Sequence, residues 1–228
     1  MRNLNCASEV VIFGPCLDSF ASLAKVHLGL PWLIVDGGIN PLISGKYRPL
    51  LLSKIEKKEV QWIGDGDSKI SLPKKMPGLL FPSHKDESDL ELALELIPRA
   101  KKIILYGMWG GRFDHHLANF GVLSHFCKSA GKMAVFTEGA VILGPGKWAL
   151  SYSKNFSLIL FQRGEIKLRG ACRFKLAKST SFPPLSPWGI SNLWIPSKKN
   201  KKVLLTTKRP TLYLPNSLKI VPHFLGKI

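Results

Sequence analysis

Short apolar runs, each stopped by a glycine-bearing turn, recur through the first half of the chain, and this repetition limits the folds open to it. Glu9–Pro15 reads as a buried strand ending in Gly-Pro, and Trp32–Val35 as a second, stopped by Asp36-Gly37-Gly38. Val60–Ile63 stops at Gly64-Asp65-Gly66-Asp67-Ser68, and Lys102–Tyr106 is closed by Gly107, Gly110 and Gly111. Helical patterns lie between. Asp18 is placed to cap a helix with Phe20, Leu23, Ala24 and Leu28 on one face. Ser88-Asp89-Leu90-Glu91 forms a capping box, followed by Leu90, Ala93, Leu94 and Ile97 at helical spacing and by Pro98 as a stop. Asp114 opens a further helix toward Ser129, and Met133–Phe136 and Val141–Leu143 predict two more strands. The alternation predicts an α/β fold: an open, mostly parallel sheet with helices on both faces.

After Gly144-Pro145-Gly146 the helical period disappears. Phe156–Phe161, Glu165–Arg169, Cys172–Leu176, Ile190–Ile195, Val203–Thr207 and Thr211–Leu214 are strand-like runs separated by Gly, Pro, Ser or Asn. They predict a small antiparallel β-sandwich domain, dividing the chain into 1–147 and 148–228. Charge divides similarly. Residues 151–228 hold 15 Lys+Arg and one acid, Glu165, whereas residues 1–150 hold 18 bases and 14 acids. Such an excess could attract polyanions, but the lysines are interspersed and form no stripe. We read them as a solvated surface, with nucleic acid not expected as a partner.

With 45% hydrophobic residues in 228, the chain has ample material for a core and is not a disordered one. No apolar run reaches the ~18 residues that a membrane span needs. The N-terminus lacks a secretory pattern, and Cys6, Cys16, Cys127 and Cys172 are scattered without Cys-x-x-Cys spacing. A cytoplasmic protein without disulfides or structural zinc is expected.

All seven aspartates lie before residue 115. In an open α/β sheet, ligands bind beyond the carboxyl ends of the strands, so Asp36, Asp65, Asp67, Asp86, Asp89 and Asp114 are placed to converge. Carboxylates meeting in one crevice repel each other unless a cation joins them, and Mg²⁺ with substrate phosphates removes that cost. Two carboxylates spaced as in Asp65-Gly66-Asp67 can grip a hard cation from one turn; alone, the same turn reads equally as exposed loop. Gly110-Gly111-Arg112-Phe113-Asp114 places backbone N–H groups and a guanidinium fork at a helix start, which suits phosphate. Asp114 there either caps the helix or faces a metal. A Walker loop, a Gly-x-Gly-x-x-Gly after the first strand and a serine elbow are all missing from the sequence.

Taken in order, Asp36-Gly37-Gly38-Ile39-Asn40, Gly64-Asp65-Gly66-Asp67-Ser68, Asp86-Glu87-Ser88-Asp89-Leu90-Glu91 and Gly110 to Asn119 (GGRFDHHLAN) resemble the signature of the thiamine pyrophosphokinase family. Gly189-Ile190-Ser191-Asn192 resembles the family's thiamine-side motif. Position 66 is glycine where the family usually carries a bulky apolar residue, and 88 is serine for threonine. The resemblance implies a nucleotide-binding catalytic domain followed by a thiamine-binding β-sandwich. It also implies a homodimer with a site shared between subunits, and Mg²⁺-dependent pyrophosphoryl transfer from ATP to thiamine with AMP released. On the same basis Asp36, Asp65, Asp67 and Asp89 are the catalytic carboxylates, with Asp65, Asp67 and Asp89 on the metal. Gly37, Asn40, Ser68, Asp86, Gly111, Arg112 and Asp114 would face the nucleotide. Ser191 and Asn192 would meet thiamine, flanked by Trp188 and Trp194. A pterin pyrophosphokinase shares the aspartate layout and differs in the acceptor pocket. A non-catalytic, RNA-associated relative would be expected to have lost the carboxylates, which are present here.

Overall fold

The computed structural model describes residues 4–16, 27–66, 72–150, 154–196, 202–216 and 222–228. The chain separates into two compact units, Met1–Val122 and Leu123–Ile228.

In the first unit, β1 (Glu9–Phe13), β2 (Trp32–Val35), β3 (Val60–Gly64), β4 (Gly78–Leu80) and β5 (Lys102–Tyr106) lie in the order β5-β1-β2-β3-β4 with every pairing parallel. The apolar runs are continuous rather than alternating because both faces of the sheet are covered. On one face Val11, Phe13, Trp32, Ile34 and Trp62 gather with Leu42 of α1 (Asn40–Ser44) and with Leu51 and Ile55 of α2 (Arg48–Glu56). The alternate residues Val10, Ile12, Leu33 and Ile63 are buried from the other side, where α3 (Asp89–Glu95) packs on β2 and β3. The serine half of the capping box forms: Ser88 Oγ accepts from the Glu91 backbone N–H at 3.2 Å. Neither α1 nor α2 was expected; each is short and begins with a proline in its first turn. The helix expected from Asp18 lies outside the described residues except for Leu28, which sits in a turn. The glycine-rich turn after β5 leads into α4 (Phe113–Phe126).

The second unit contains β6 (Met133–Phe136), β7 (Ala140–Leu143), β8 (Gly146–Leu150), β9 (Asn155–Leu160) and β10 (Gly164–Gly170). They are followed by β11 (Leu176–Phe182), β12 (Asn192–Leu193), β13 (Val203–Thr207), β14 (Thr211–Pro215) and β15 (His223–Gly226). Two antiparallel sheets, β12-β9-β14-β7-β6 and β11-β10-β13-β8-β15, close over one core that includes Val141, Trp148, Phe156, Leu158, Ile166, Leu205 and Tyr213. This is a β-sandwich. The expected division at residue 147 falls inside β8. β6 and β7 were read with the parallel sheet, but β7 pairs antiparallel with both β6 and β14, and Met133 and Val141 belong to the sandwich core. Two expected strands also move. Cys172 makes only an isolated bridge to Trp194, with β11 starting at Leu176, and the Ile190–Ile195 run shrinks to β12 behind a 3-10 turn at Pro187–Gly189. Among the described residues no helix is long and apolar enough to cross a membrane.

Candidate active site

Successive strands β1 to β4 step outward in one direction, and β5 returns to the opposite side of β1, so the sheet reverses direction beside β1. A crevice of about 710 Å³ opens there, walled by segments that follow strand ends: Pro15 and Cys16 after β1, Asp36 after β2, Asp65 after β3, and Gly107, Met108 and Gly110–Arg112 after β5. Ser83, Lys85 and the start of α3 complete it. This is the position at which open parallel sheets bind ligands.

The walls meet because the backbones after β1 and β5 approach closely. Gly14 N–H donates to the Tyr106 carbonyl at 2.8 Å and Cys16 N–H to that of Gly107 at 2.9 Å. A Cβ on Gly14 would stand 2.7 Å from the Gly107 oxygen, so only glycine fits between them. Cys16 Sγ donates onward to the Gly110 carbonyl at 2.9 Å. Gly110 and Gly111 have φ of 117° and 77°, which lets the main chain turn along the crevice wall without side chains in the way.

Three of the expected carboxylates converge. Oxygens of Asp36, Asp65 and Asp89 lie within 4.8 Å of one another. They come from distant stretches of sequence: the end of β2, the turn after β3 and the first residue of α3. Asp36 has φ 43°, an uncommon region for a non-glycine residue, and its carbonyl accepts from the Trp62 indole N–H at 3.0 Å. Gly66 has φ 78°, and a Cβ there would approach Leu80 to 3.2 Å, so the glycine found at this position suits the turn. Asp67 and Ser68 lie outside the described residues.

A lysine joins the carboxylates. Lys85 Nζ is 2.8 Å from Asp89 and 3.8 Å from Asp65. Burial raises the Asp89 carboxyl above its usual range; Lys85 opposes this, and the charges of Asp65 and Asp36 add to it. On Lys85 itself desolvation is the largest single influence and acts downward. The close ion pair with Asp89 and the charges of Asp65 and Asp36 outweigh it, so its proton is held more tightly than usual. One ammonium among three carboxylates leaves the cluster electronegative. A donor set of oxygen atoms alone fits a hard divalent cation such as Mg²⁺ rather than a thiophilic one.

Other expected site residues are placed differently. Gly111 and Arg112 line the crevice, whereas Gly37, Asn40, Asp86 and Asp114 do not. Gly37 is buried in the turn after β2, and Asn40 and Asp86 are exposed. Asp114 does not join the carboxylates: it pairs with Arg112 through contacts of 3.2 and 2.5 Å and accepts from the first-turn His115 N–H of α4 at 3.0 Å. Arg112 holds the Asp114 carboxyl down at about 2. Of the two adjacent histidines, His115 is exposed, while His116 packs beside Trp109 with its Nε2 2.6 Å from the Gly110 oxygen.

In the second unit, Ser191 is exposed at φ 57° and its N–H donates to Ser157 Oγ at 3.0 Å. Asn192 is 6% exposed, and its amide is committed to the main chain: Oδ1 accepts from Phe174 N–H at 3.1 Å and Nδ2 donates to Phe174 O at 2.9 Å. Trp194 is a core residue edge-on to Phe156, whereas Trp188 is 67% exposed beside Phe182. Asn192→Ala is therefore expected to cost about 1–3 kcal/mol of stability by removing both hydrogen bonds to the Phe174 main chain. Urea unfolding of the variant beside Ser191→Ala, which should unfold like wild type, checks this.

Lys85, Cys16 and His116 were missed as crevice residues. For Lys85 a signal existed: it stands four residues before Asp89, just ahead of the capping box.

The profile described as thiamin pyrophosphokinase, catalytic domain, matches residues 31–135. Similar solved structures include the thiamine pyrophosphokinase of Bacillus subtilis, at 21% identity and TM-score 0.63, covering 92% of this chain and 99% of that one. The Geobacillus thermodenitrificans protein matches at 22% identity and 0.63, covering 92% and 98%, and that of Candida albicans at 14% and 0.63, covering 90% and 87%. At these identities the structures establish the fold. No curated protein matches by sequence.

Proposed function

We propose that this chain, which belongs through its catalytic domain to the thiamin pyrophosphokinase family, transfers the pyrophosphoryl group of ATP to the hydroxyl of thiamine and releases AMP. The observation that carries this reading is the meeting of Asp36, Asp65 and Asp89 in a strand-end crevice inside the matched segment. In it these carboxylates would hold Mg²⁺, which supplies charge stabilisation to the transferring phosphoryl oxygens.

The chain's own groups have separable tasks. Gly110 and Gly111 keep the wall free of side chains where phosphates must approach. Arg112 offers its fork beside them. Its present partner Asp114 is exposed, as is Arg112 itself, with side-chain exposures of 62% and 72%. Exposed pairs contribute little, so a phosphate can replace Asp114 at small cost. Attack of the alcohol oxygen on the β-phosphorus forms one P–O bond and breaks the bond to the α,β-bridging oxygen, which leaves with AMP, while the hydroxyl proton is released to solvent. The reading takes the protein as a homodimer and gives thiamine contact to Ser191 and Trp188, with Asn192 shaping their loop through Phe174.

Purified protein with ATP, Mg²⁺ and thiamine should yield AMP and thiamine diphosphate in equal amounts by chromatography. Formation of ADP and a monophosphate would overturn the reaction type. Turnover of a hydroxymethylpterin but not of thiamine would overturn the acceptor.

A further inference from the structure

Lys85 is tied to the site by contacts that a metal would also use. Its side chain is 11% exposed, and its ammonium lies 2.8 Å from Asp89 Oδ1 and 3.8 Å from Asp65 Oδ2. A third contact, to the Pro82 carbonyl, is long at 3.4 Å. Lys85 precedes the Ser88 cap, so it lies in the loop before α3 and no helical backbone ladder fixes it. Two of the three carboxylates whose oxygens gather within 4.8 Å are thus already engaged by a cation of the chain itself.

We infer that Lys85 and a divalent cation compete for Asp65 and Asp89: the ammonium holds these carboxylates together while no metal is bound and leaves them when one enters. The inference rests on reading the triad as a cation site. Three carboxylates so close would repel one another without a counter-charge, and a flexible lysine supplies one that can be displaced. It also opposes premature metal binding, because an ammonium beside the ligands repels a divalent ion. The competing idea, that Lys85 aligns the carboxylates for the metal, makes the opposite prediction.

Calorimetric titration of Mg²⁺ and of Mn²⁺ without nucleotide, into wild type, Lys85→Met, Lys85→Arg and Asp89→Asn, separates the two. Removing the ammonium should tighten cation binding by about tenfold. Lys85→Arg should stay near wild type, and Asp89→Asn should bind more weakly. The thermal midpoint of Lys85→Met should fall in chelator and rise more than that of wild type on adding Mg²⁺. Equal or weaker cation binding by Lys85→Met, with binding lost in Asp89→Asn, would overturn the role of Lys85 alone. Undiminished binding by Asp89→Asn would overturn the cation-site reading beneath it.

Discussion

Asp89→Asn should leave a folded protein whose kcat is lower by ~100-fold or more, roughly 3 kcal/mol of lost transition-state stabilisation. The substitution keeps shape and removes only charge. The helix cap is supplied by Ser88, not by Asp89, so α3 should still form. Two effects on stability oppose each other: the raised carboxyl favours the neutral residue, and loss of the 2.8 Å pair with Lys85 disfavours it. Burial raises the folded-state pKa of Asp89 above its unfolded value. The folded state therefore binds the proton more tightly, and the ionised carboxylate is a net cost to folding at neutral pH that is relieved as pH falls through the raised value. Asparagine resembles the protonated form and removes that cost. A loss of activity far larger than any change in thermal midpoint is expected of a charge kept for chemistry. Near wild-type kcat at saturating Mg²⁺ would remove Asp89 from the reaction.

The sequence made some of this legible for simple reasons. Strands β1, β2, β3 and β5 are apolar runs flanked by glycine or polar residues, and α3 carries both its period and its cap in adjacent residues. Asp36 and Asp65 could be nominated because each ends such a run, and strand ends are where parallel sheets bind ligands. Helices α1 and α2 were missed because each is short and starts with proline, and β4 because three residues at a sheet edge carry no pattern. β6 and β7 were seen as strands without their direction, since a four-residue apolar run does not reveal whether it will pair parallel or antiparallel. Lys85 carried little weight among 33 basic residues. The Arg112–Asp114 pair and the burial of Asn192 depend on side-chain directions that only the fold sets.

The position of Asp36 depends closely on its neighbours. Its backbone is held at φ 43°. The Trp62 indole, 3% exposed, donates to its carbonyl at 3.0 Å. Trp62 and Gly64 share one face of β3, and the absent side chain at Gly64 makes room for the indole: a Cβ there would stand 2.7 Å from Trp62 Cζ2 and 3.1 Å from Asp36 Cα. Gly64→Ala must therefore shift the ring, the Asp36 backbone or both, at about 1–3 kcal/mol of stability. Trp62→Phe keeps an aromatic ring and removes the donor, at about 0.5–1.5 kcal/mol for the lost hydrogen bond. Both should also lower kcat by about tenfold or more, because angstrom-scale misplacement of a reacting group is costly. A purely structural role would lower stability and leave the kinetics of the surviving folded enzyme unchanged, so kcat should be measured well below each variant's thermal midpoint. Gly121→Ala in α4 is the control: its Cβ would meet nothing within 4 Å. It should gain about 0.5–1 kcal/mol, with turnover unaltered. If Gly64→Ala and Trp62→Phe turn over like wild type once folded, the indole does not position Asp36 for the reaction.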